Sequence, residues 1–346
     1  MKEIRSFIFF AFGALFLLAG CQSTAGAPSD TVILRVGYFP NITHSQALIG
    51  LARGDFQSAL GTDVEIQSTQ FNAGPSVIEA LFAGQIDLSY IGPNPAINGY
   101  IKSEGEALRI VCGATSGGAA FIVRPDANIH SPADLAGKKL ASPQLGNTQD
   151  VALRGYLVKN GLKTLEQGGN VEVVPTDNPL ILDMFRLGEI DGAWVPEPWA
   201  SRLVVDGGGV VFLDERDLWT DTGGEFVTAH IIVSTKFLAA HPQVVKAWVR
   251  AHVEITQWEL DHPLEAQELL NAEIEKYTGK KLAAEVLSKA WGRMKATWDP
   301  ISVSLIQSAQ SAHEAGFLKE EPNLDGIYDL TLLNEVLAER DLPPVE

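Results

Sequence analysis

Cysteine is nearly absent from this chain: two stand among 346 residues, Cys21 and Cys112. No framework of disulfides can organise the fold. Cations are also scarce, since 26 Lys and Arg face 43 Asp and Glu and leave a formal charge of -17. A body this acidic argues against nucleic acid and anionic membrane surfaces as partners. The signatures of common chemistries are missing too. No phosphate-binding G-x-x-x-x-G-K-[ST] occurs, because Gly137-Lys138-Lys139 and Gly279-Lys280-Lys281 lack the earlier glycine and the hydroxyl. There is no G-x-S-x-G nucleophile elbow. The seven histidines never stand three or four apart, so no zinc set can be assembled and neither metal nor cofactor is expected.

What is present is globular in character, with 46% hydrophobic and 20% charged residues over a length that suits two ordinary domains. The start is different. Lys2 and Arg5 precede the apolar run SFIFFAFGALFLLAG, too short to span a bilayer as a mature helix and patterned as a secretory signal. It ends in Leu18-Ala19-Gly20-Cys21, which resembles the lipobox of bacterial lipoproteins. That resemblance implies a lipidated Cys21 at the head of a flexible tether, QSTAGAPSDT, and a mature protein anchored to a membrane and facing the periplasm or the cell exterior. Removing residues 1–20 takes away Lys2, Arg5 and Glu3, a net single positive charge, so -17 becomes -18. Cys112, inside the apolar run ALRIVCGAT, reads as a small buried hydrophobe rather than a reactive thiol.

From Ile33 onward, short β-branched runs alternate with helical patterns, which predicts α/β units on largely parallel sheets. ILRVGYF, TDVEIQST and IDLSYIG read as strands separated by the helices HSQALIGLARGDF and PSVIEALFAG, and LRIVCGAT and AAFIVRP as two strands more. A second unit runs through KKLASP, NVEVVPT and IDGAWV with helices between them; EFVTAHIIVST then returns as a strand, and from His241 the pattern is helical. Two stretches match without a gap at a separation of 104 residues, LFAGQIDLSYI from Leu81 and FRLGEIDGAWV from Phe185. Each ends a helix at glycine, Gly84 or Gly188, and opens a strand with Ile-Asp. Two lobes built on one plan follow.

In sheets of this kind ligands bind beyond the carboxyl ends of the strands. The segments to read are therefore Pro40 to His44, Gly92-Pro93-Asn94-Pro95, Ser116-Gly117-Gly118, Ser142 to Thr148, and Pro196-Glu197-Pro198-Trp199. Most lead into helices, whose free N–H groups and positive dipole ends can cradle an anion without lysine or arginine. Each residue keeps a structural reading beside the functional one. Asn147 and Thr148 serve equally as N-caps, His44 as a polar first-turn residue, Trp199 as helix packing and Trp194 as core. Glu197 is either a carboxylate stabilised in a first helical turn or an acceptor for a ligand amine or heterocyclic N–H.

The lipobox, LRVGYFPNITHSQALIGLARGDF, IEALFAGQIDLSYIGPNPA, SPADLAGKKLASP, GEIDGAWVPEPWASRL and STKFLAAHPQVVKAWVRAH together resemble the substrate-binding proteins of ABC importers for aliphatic sulfonates, taurine and nitrate. The resemblance implies a two-lobe periplasmic-binding-protein fold of type II, with two crossing strands as hinge and a ligand cleft between the lobes. On that plan residues 1–20 are the signal, 21–31 the tether, 32–121 the first part of lobe 1, 122–226 lobe 2, and 227–346 the return strand and helices completing lobe 1. The implied ligand positions are His44, Gly92, Pro93, Asn94, Ser116, Gly117, Asn147, Thr148, Glu197 and Trp199. The implied role is a non-catalytic, monomeric receptor that captures a small solute, an aliphatic sulfonate or taurine first and a nitrate-like anion second, and delivers it to an ABC permease with its ATPase. A binder of a thiamin-precursor pyrimidine or riboflavin stays open, as does a desulfinase or dehydratase on the same fold. Glu197 and the lack of a sulfonate-clamping arginine set this chain apart from a purely anionic pocket.

Overall fold

A computed structural model describes residues 31–346. The signal segment and Cys21 lie outside the described residues. Val32–Tyr38 (β1), Val64–Gln70 (β2) and Leu88–Ile91 (β3) form three parallel strands with β1 in the middle. After Leu108–Gly117 (β4) the chain turns at Gly118 and enters a second sheet through Ala119–Val123 (β5), Lys139–Pro143 (β6), Glu172–Thr176 (β7), Gly192–Pro196 (β8) and Val210–Asp214 (β9). It returns as Val227–Ser234 (β10), and Met294–Ala296 (β11) adds an edge.

The first sheet runs β11-β4-β10-β3-β1-β2 and the second β7-β6-β8-β5-β9. Parallel β3-β1-β2 in one has its counterpart in parallel β8-β6-β7 in the other, each flanked by an antiparallel strand, β10 beside β3 and β5 beside β8. Every residue of β3 and β8 is buried, because helices cover both faces of a parallel sheet. That is why these strands show as unbroken apolar runs. Phe56 and Trp248, with ring centroids 3.7 Å apart, centre the core on one face of the first sheet, while Trp194 and Phe121 stack at 5.4 Å against the second. Trp194 is therefore core.

The echo seen in the sequence is carried atom by atom. Gly84 and Gly188 both adopt left-handed φ, 67° and 74°, and end their helices with matching bonds, Gln85 N to Ala80 O at 2.8 Å and Glu189 N to Met184 O at 2.9 Å.

Three details differ from expectation. The helix begun at Ser45 breaks at Gly54, φ 76°, and resumes as Asp55–Leu60. The segment after His241 contains β11, too short for a readable alternation. Residues 119–121 pair in the second sheet, since the crossing falls at Gly118 rather than after residue 121.

Candidate functional site: a cleft between the lobes

The carboxyl ends of the parallel strands of both lobes face one another across a small cleft. Its wall is made by Asn41 and His44 after β1, Gly92 after β3, Asn147 and Thr148 after β6, and Asn178 after β7. Gly92 caps the helix Pro93–Lys102, Asn147 the helix Thr148–Lys159, and Asn178 opens the helix Asn178–Leu187. Three helix starts from two lobes thus supply N–H groups and positive dipole ends to one place. No Lys, Arg, Asp or Glu lines it among the described residues.

The cleft is closed. A Cβ at Gly92 would lie 2.2 Å from Thr148 Oγ1, so only glycine permits the two lobes to meet there. Closure leaves polar atoms unmet. Thr148 Oγ1 and Asn178 Oδ1 are buried with no hydrogen-bond partner among the described residues, on residues only 6% and 5% exposed. A buried polar atom without a partner costs about 1–3 kcal/mol, which a bound polar group would relieve.

His44 stacks on Phe39, centroids 4.4 Å apart, and its Nδ1 accepts the Phe39 backbone N–H at 3.2 Å. Burial, with His230 nearby, pushes its pKa down to about 3, so the ring is neutral at ordinary pH and carries its proton on Nε2. His230, fully buried on β10, has neither nitrogen partnered among the described residues and is likewise pushed down to about 3 by burial.

Of the ten residues expected at the site, His44, Gly92, Asn147 and Thr148 come together here. Asn147 makes no side-chain cap; Asp150 accepts the Gly146 N–H at 2.8 Å instead, and Asn147 Oδ1 faces Gly74 N across the cleft at 3.4 Å. Pro93 forms the first turn of its helix, away from the wall. Asn94 donates to Ser308 O at 3.1 Å and faces a neighbouring opening. Ser116 lines a third opening beside the crossing, and Gly117 O accepts Thr228 Oγ1.

Glu197 and Trp199 correct the reading of that rim. Glu197 is fully buried and its carboxylate is engaged by Ser201 N, Ser201 Oγ and Arg293 Nη1 at 2.9, 2.9 and 2.7 Å. Burial raises its pKa while Arg293 and Ser201 draw it back. The acceptor proposed for a ligand is already used, because Arg293, 96 residues away, folds onto it. Trp199 donates from Nε1 to Asn41 Oδ1 at 3.0 Å, holding a wall residue rather than forming the wall. Asn178 and Thr228 were missed. Asn178 follows β7 directly, so the strand-end rule applied to NVEVVPTDN would have found it.

Two sheet-centred lobes joined by two crossings, with a polar cleft at their facing strand ends, define the periplasmic-binding-protein architecture. A model of the NMT1-like family matches residues 27–272, and the chain belongs to that family. The taurine-binding periplasmic protein of Escherichia coli K12 is 25% identical over 213 residues, 62% of this chain and 63% of that protein, so the match spans less than two thirds of this relative. The 2'-hydroxybiphenyl-2-sulfinate desulfinase of Rhodococcus erythropolis is 24% identical, covering 68% of this chain and 76% of the enzyme. Among solved structures, the alkanesulfonate-binding protein SsuA of Xanthomonas axonopodis pv. citri, bound to MOPS, superposes with a TM-score of 0.71 at 20% identity, over 88% of this chain and 99% of that one. That likeness is one of fold.

Proposed function

We propose that this protein is the extracytoplasmic solute receptor of an ABC importer, taking a small solute with an oxyanion head of the sulfonate class into the cleft between its lobes. The observation that carries this is the pair of unmet buried atoms, Thr148 Oγ1 and Asn178 Oδ1, set among converging helix starts with no side-chain cation. Helix N–H groups and the neutral His44 Nε2–H offer donors to sulfonate oxygens, the arrangement by which helix starts hold anions. Solute favours the closed state because only there do both lobes contact it, and that differential affinity shifts the population. The permease and its ATPase then receive the closed, loaded form. Lipid attachment at Cys21 would keep the receptor beside them.

Binding rather than catalysis fits the one cysteine of the described residues. Cys112 is fully buried in the lobe 1 core, its thiol pKa pushed well up by burial and its Sγ near Trp298 O at 3.5 Å. It lies in β4 behind the cleft wall, where it cannot attack a bound sulfinate.

Thermal denaturation of the mature domain against taurine, alkanesulfonates, nitrate, bicarbonate and pyrimidines tests the reading. A bound solute at ~100 times its Kd raises stability by about 2.7 kcal/mol, and Thr148→Ala should abolish the shift. Turnover of a sulfinate with no stabilisation by any solute would overturn it. Loss of membrane association in Cys21→Ser, with binding retained, tests the anchor.

A further inference from the structure

After β10 the chain has returned to lobe 1, yet its segment 284–318 holds lobe 2 from two sides. The helix Ala284–Arg293 packs on the helix Trp199–Val205 that follows β8, and the helix Ser302–Glu314 packs on the helix Thr148–Lys159 that follows β6. Between them β11 pairs with β4 beside the first crossing. The two grips are made of different material.

The first is polar and sits on the crossings themselves. Arg293 O accepts the Gly118 N–H at 2.8 Å, and the adjacent Gly117 donates to Phe226 O, just ahead of β10, at 3.0 Å. From there the guanidinium reaches into lobe 2, to Glu197 Oε1 at 2.7 Å, Ser201 Oγ at 3.1 Å and Asp214 Oδ2 at 3.5 Å. Glu197 is fixed within lobe 2 by Ser201 N and Oγ, so drawing Arg293 away would strand a buried carboxylate. A group this close to the crossings also moves least when the lobes turn.

The second grip has no such tie. No hydrogen bond or ion pair joins the helices Thr148–Lys159 and Ser302–Glu314 among the described residues. Beside them Gln167 Nε2 reaches Ala315 O at 3.3 Å and the Arg154 guanidinium lies 5.9 Å from the Phe317 ring centre, contacts weak beside a buried ion pair. The facing residues are small or apolar. Gly155 and Ser311 meet so closely that a Cβ built on the glycine would stand 3.5 Å from that of the serine, and Val151 of lobe 2 enters an apolar cluster of lobe 1 with Leu305 and Ala309. An opening lined by Ala152, Gly155, Ser308 and Ser311 already runs along this seam. The seam also leads away from the axis. Ser304 Oγ accepts the Val227 N–H at 2.9 Å, which puts the start of the helix Ser302–Glu314 at the second crossing, and Ser311 lies about 10 Å further along it.

We infer that the lobes part by turning about Arg293, which stays bound to lobe 2, while the seam between the helices Thr148–Lys159 and Ser302–Glu314 is the face that opens and re-packs. Apolar packing without polar ties can separate and re-form as a unit, the behaviour expected of a hinge whose closure is bistable. The seam touches no solute, yet the apolar surface it exposes on opening weights the balance between open and closed protein. This movement is the same whatever solute the cleft takes.

Spin labels in the solute-free protein read the movement. Lys159→Cys with Glu314→Cys, exposed on the two sides of the seam, should give a longer distance population beside the short one, and Asp206→Cys with Ser288→Cys, across the first grip, a single distance. Val151→Ala should enlarge the longer population. In a separate variant, Gly155→Cys with Ser311→Cys has a Cβ separation that a disulfide accepts. Its oxidation should lower the radius of gyration of the solute-free protein in small-angle scattering, and dithiothreitol should restore it. A single short distance across the seam, or a radius unchanged by a bridge shown to have formed, would mean that the seam stays packed; two populations between Asp206→Cys and Ser288→Cys would mean that Arg293 is not the pivot. Any of these overturns the inference.

Discussion

Asp87 and Asp191 hold the same bond in the two lobes. Asp87 Oδ2 accepts the backbone N–H of Arg35 at 2.9 Å, Asp191 Oδ2 accepts that of Lys139 at 2.8 Å, and each carboxylate reaches back 52 residues to the strand beside it. Their own N–H groups return the contact, to Arg35 O and Lys139 O at 2.9 and 2.7 Å. The Ile-Asp pair therefore locks β3 to β1 and β8 to β6 at the end remote from the cleft, so that the far ends of the strands are delivered in register.

Removing either lock should cost stability unequally. Asp191→Ala orphans one backbone N–H and should cost about 1–3 kcal/mol. Asp87→Ala also frees Arg35, whose Nε and Nη2 both bond the carboxylate at 2.8 Å, and should cost more. Urea denaturation of the two variants checks the order; an Asp191→Ala loss equal to or above that of Asp87→Ala would contradict it.

Closure depends on the absence of a side chain at Gly92. Gly92→Ala places a methyl 2.2 Å from Thr148 Oγ1 and should hold the lobes apart, weakening solute affinity about tenfold or more with little change in urea stability. Small-angle scattering should show a larger radius of gyration with solute present. Equal affinity and an unchanged radius would show that the contact is not needed for closure.

The buried pair between Glu197 and Arg293 joins the β8 exit to the last turn of the helix Ala284–Arg293. Arg293→Met leaves a fully buried carboxylate without its cation and should cost about 3–5 kcal/mol. Arg293→Met with Glu197→Gln should recover most of that loss, because both charges are then gone. A double-mutant cycle measures the coupling.

Glu259 sits in the core against Ser45 Oγ at 2.8 Å, and burial lifts its pKa to about 8. A carboxyl whose folded pKa is raised binds more protons folded than unfolded, so its contribution is full at low pH and is lost as pH rises towards about 8, with a slope of up to about 1.4 kcal/mol per pH unit. Glu259→Gln removes that dependence. Melting curves between about pH 5 and about pH 8 should show the variant gaining on the wild type as pH rises. The buried histidines have the opposite sign, being pushed down to about 3 or 4, but they are common to both proteins and cancel in the difference.

Much of the fold was legible because it is written in local pattern: apolar runs for strands covered on both faces, glycines for helix ends, and a second copy 104 residues on. Four of the ten expected site residues, His44, Gly92, Asn147 and Thr148, line the candidate cleft for the same reason, since strand ends are local features and the fold brings strand ends together. Glu197 was not. Its position after β8 satisfied the strand-end rule, but whether a carboxylate there meets a solute or a guanidinium depends on where a helix almost 100 residues later comes to lie. Glu215 shows the converse: only packing reveals that Asp214 takes the arginines while the buried Glu215 takes the Trp194 indole N–H and none of them. The amino-acid sequence by itself determined the two lobes, their shared plan and the polar, cation-free character of the strand exits. The tertiary structure decided which buried carboxylates meet a cation and which do not, because charge compensation is a contact between segments distant in the chain.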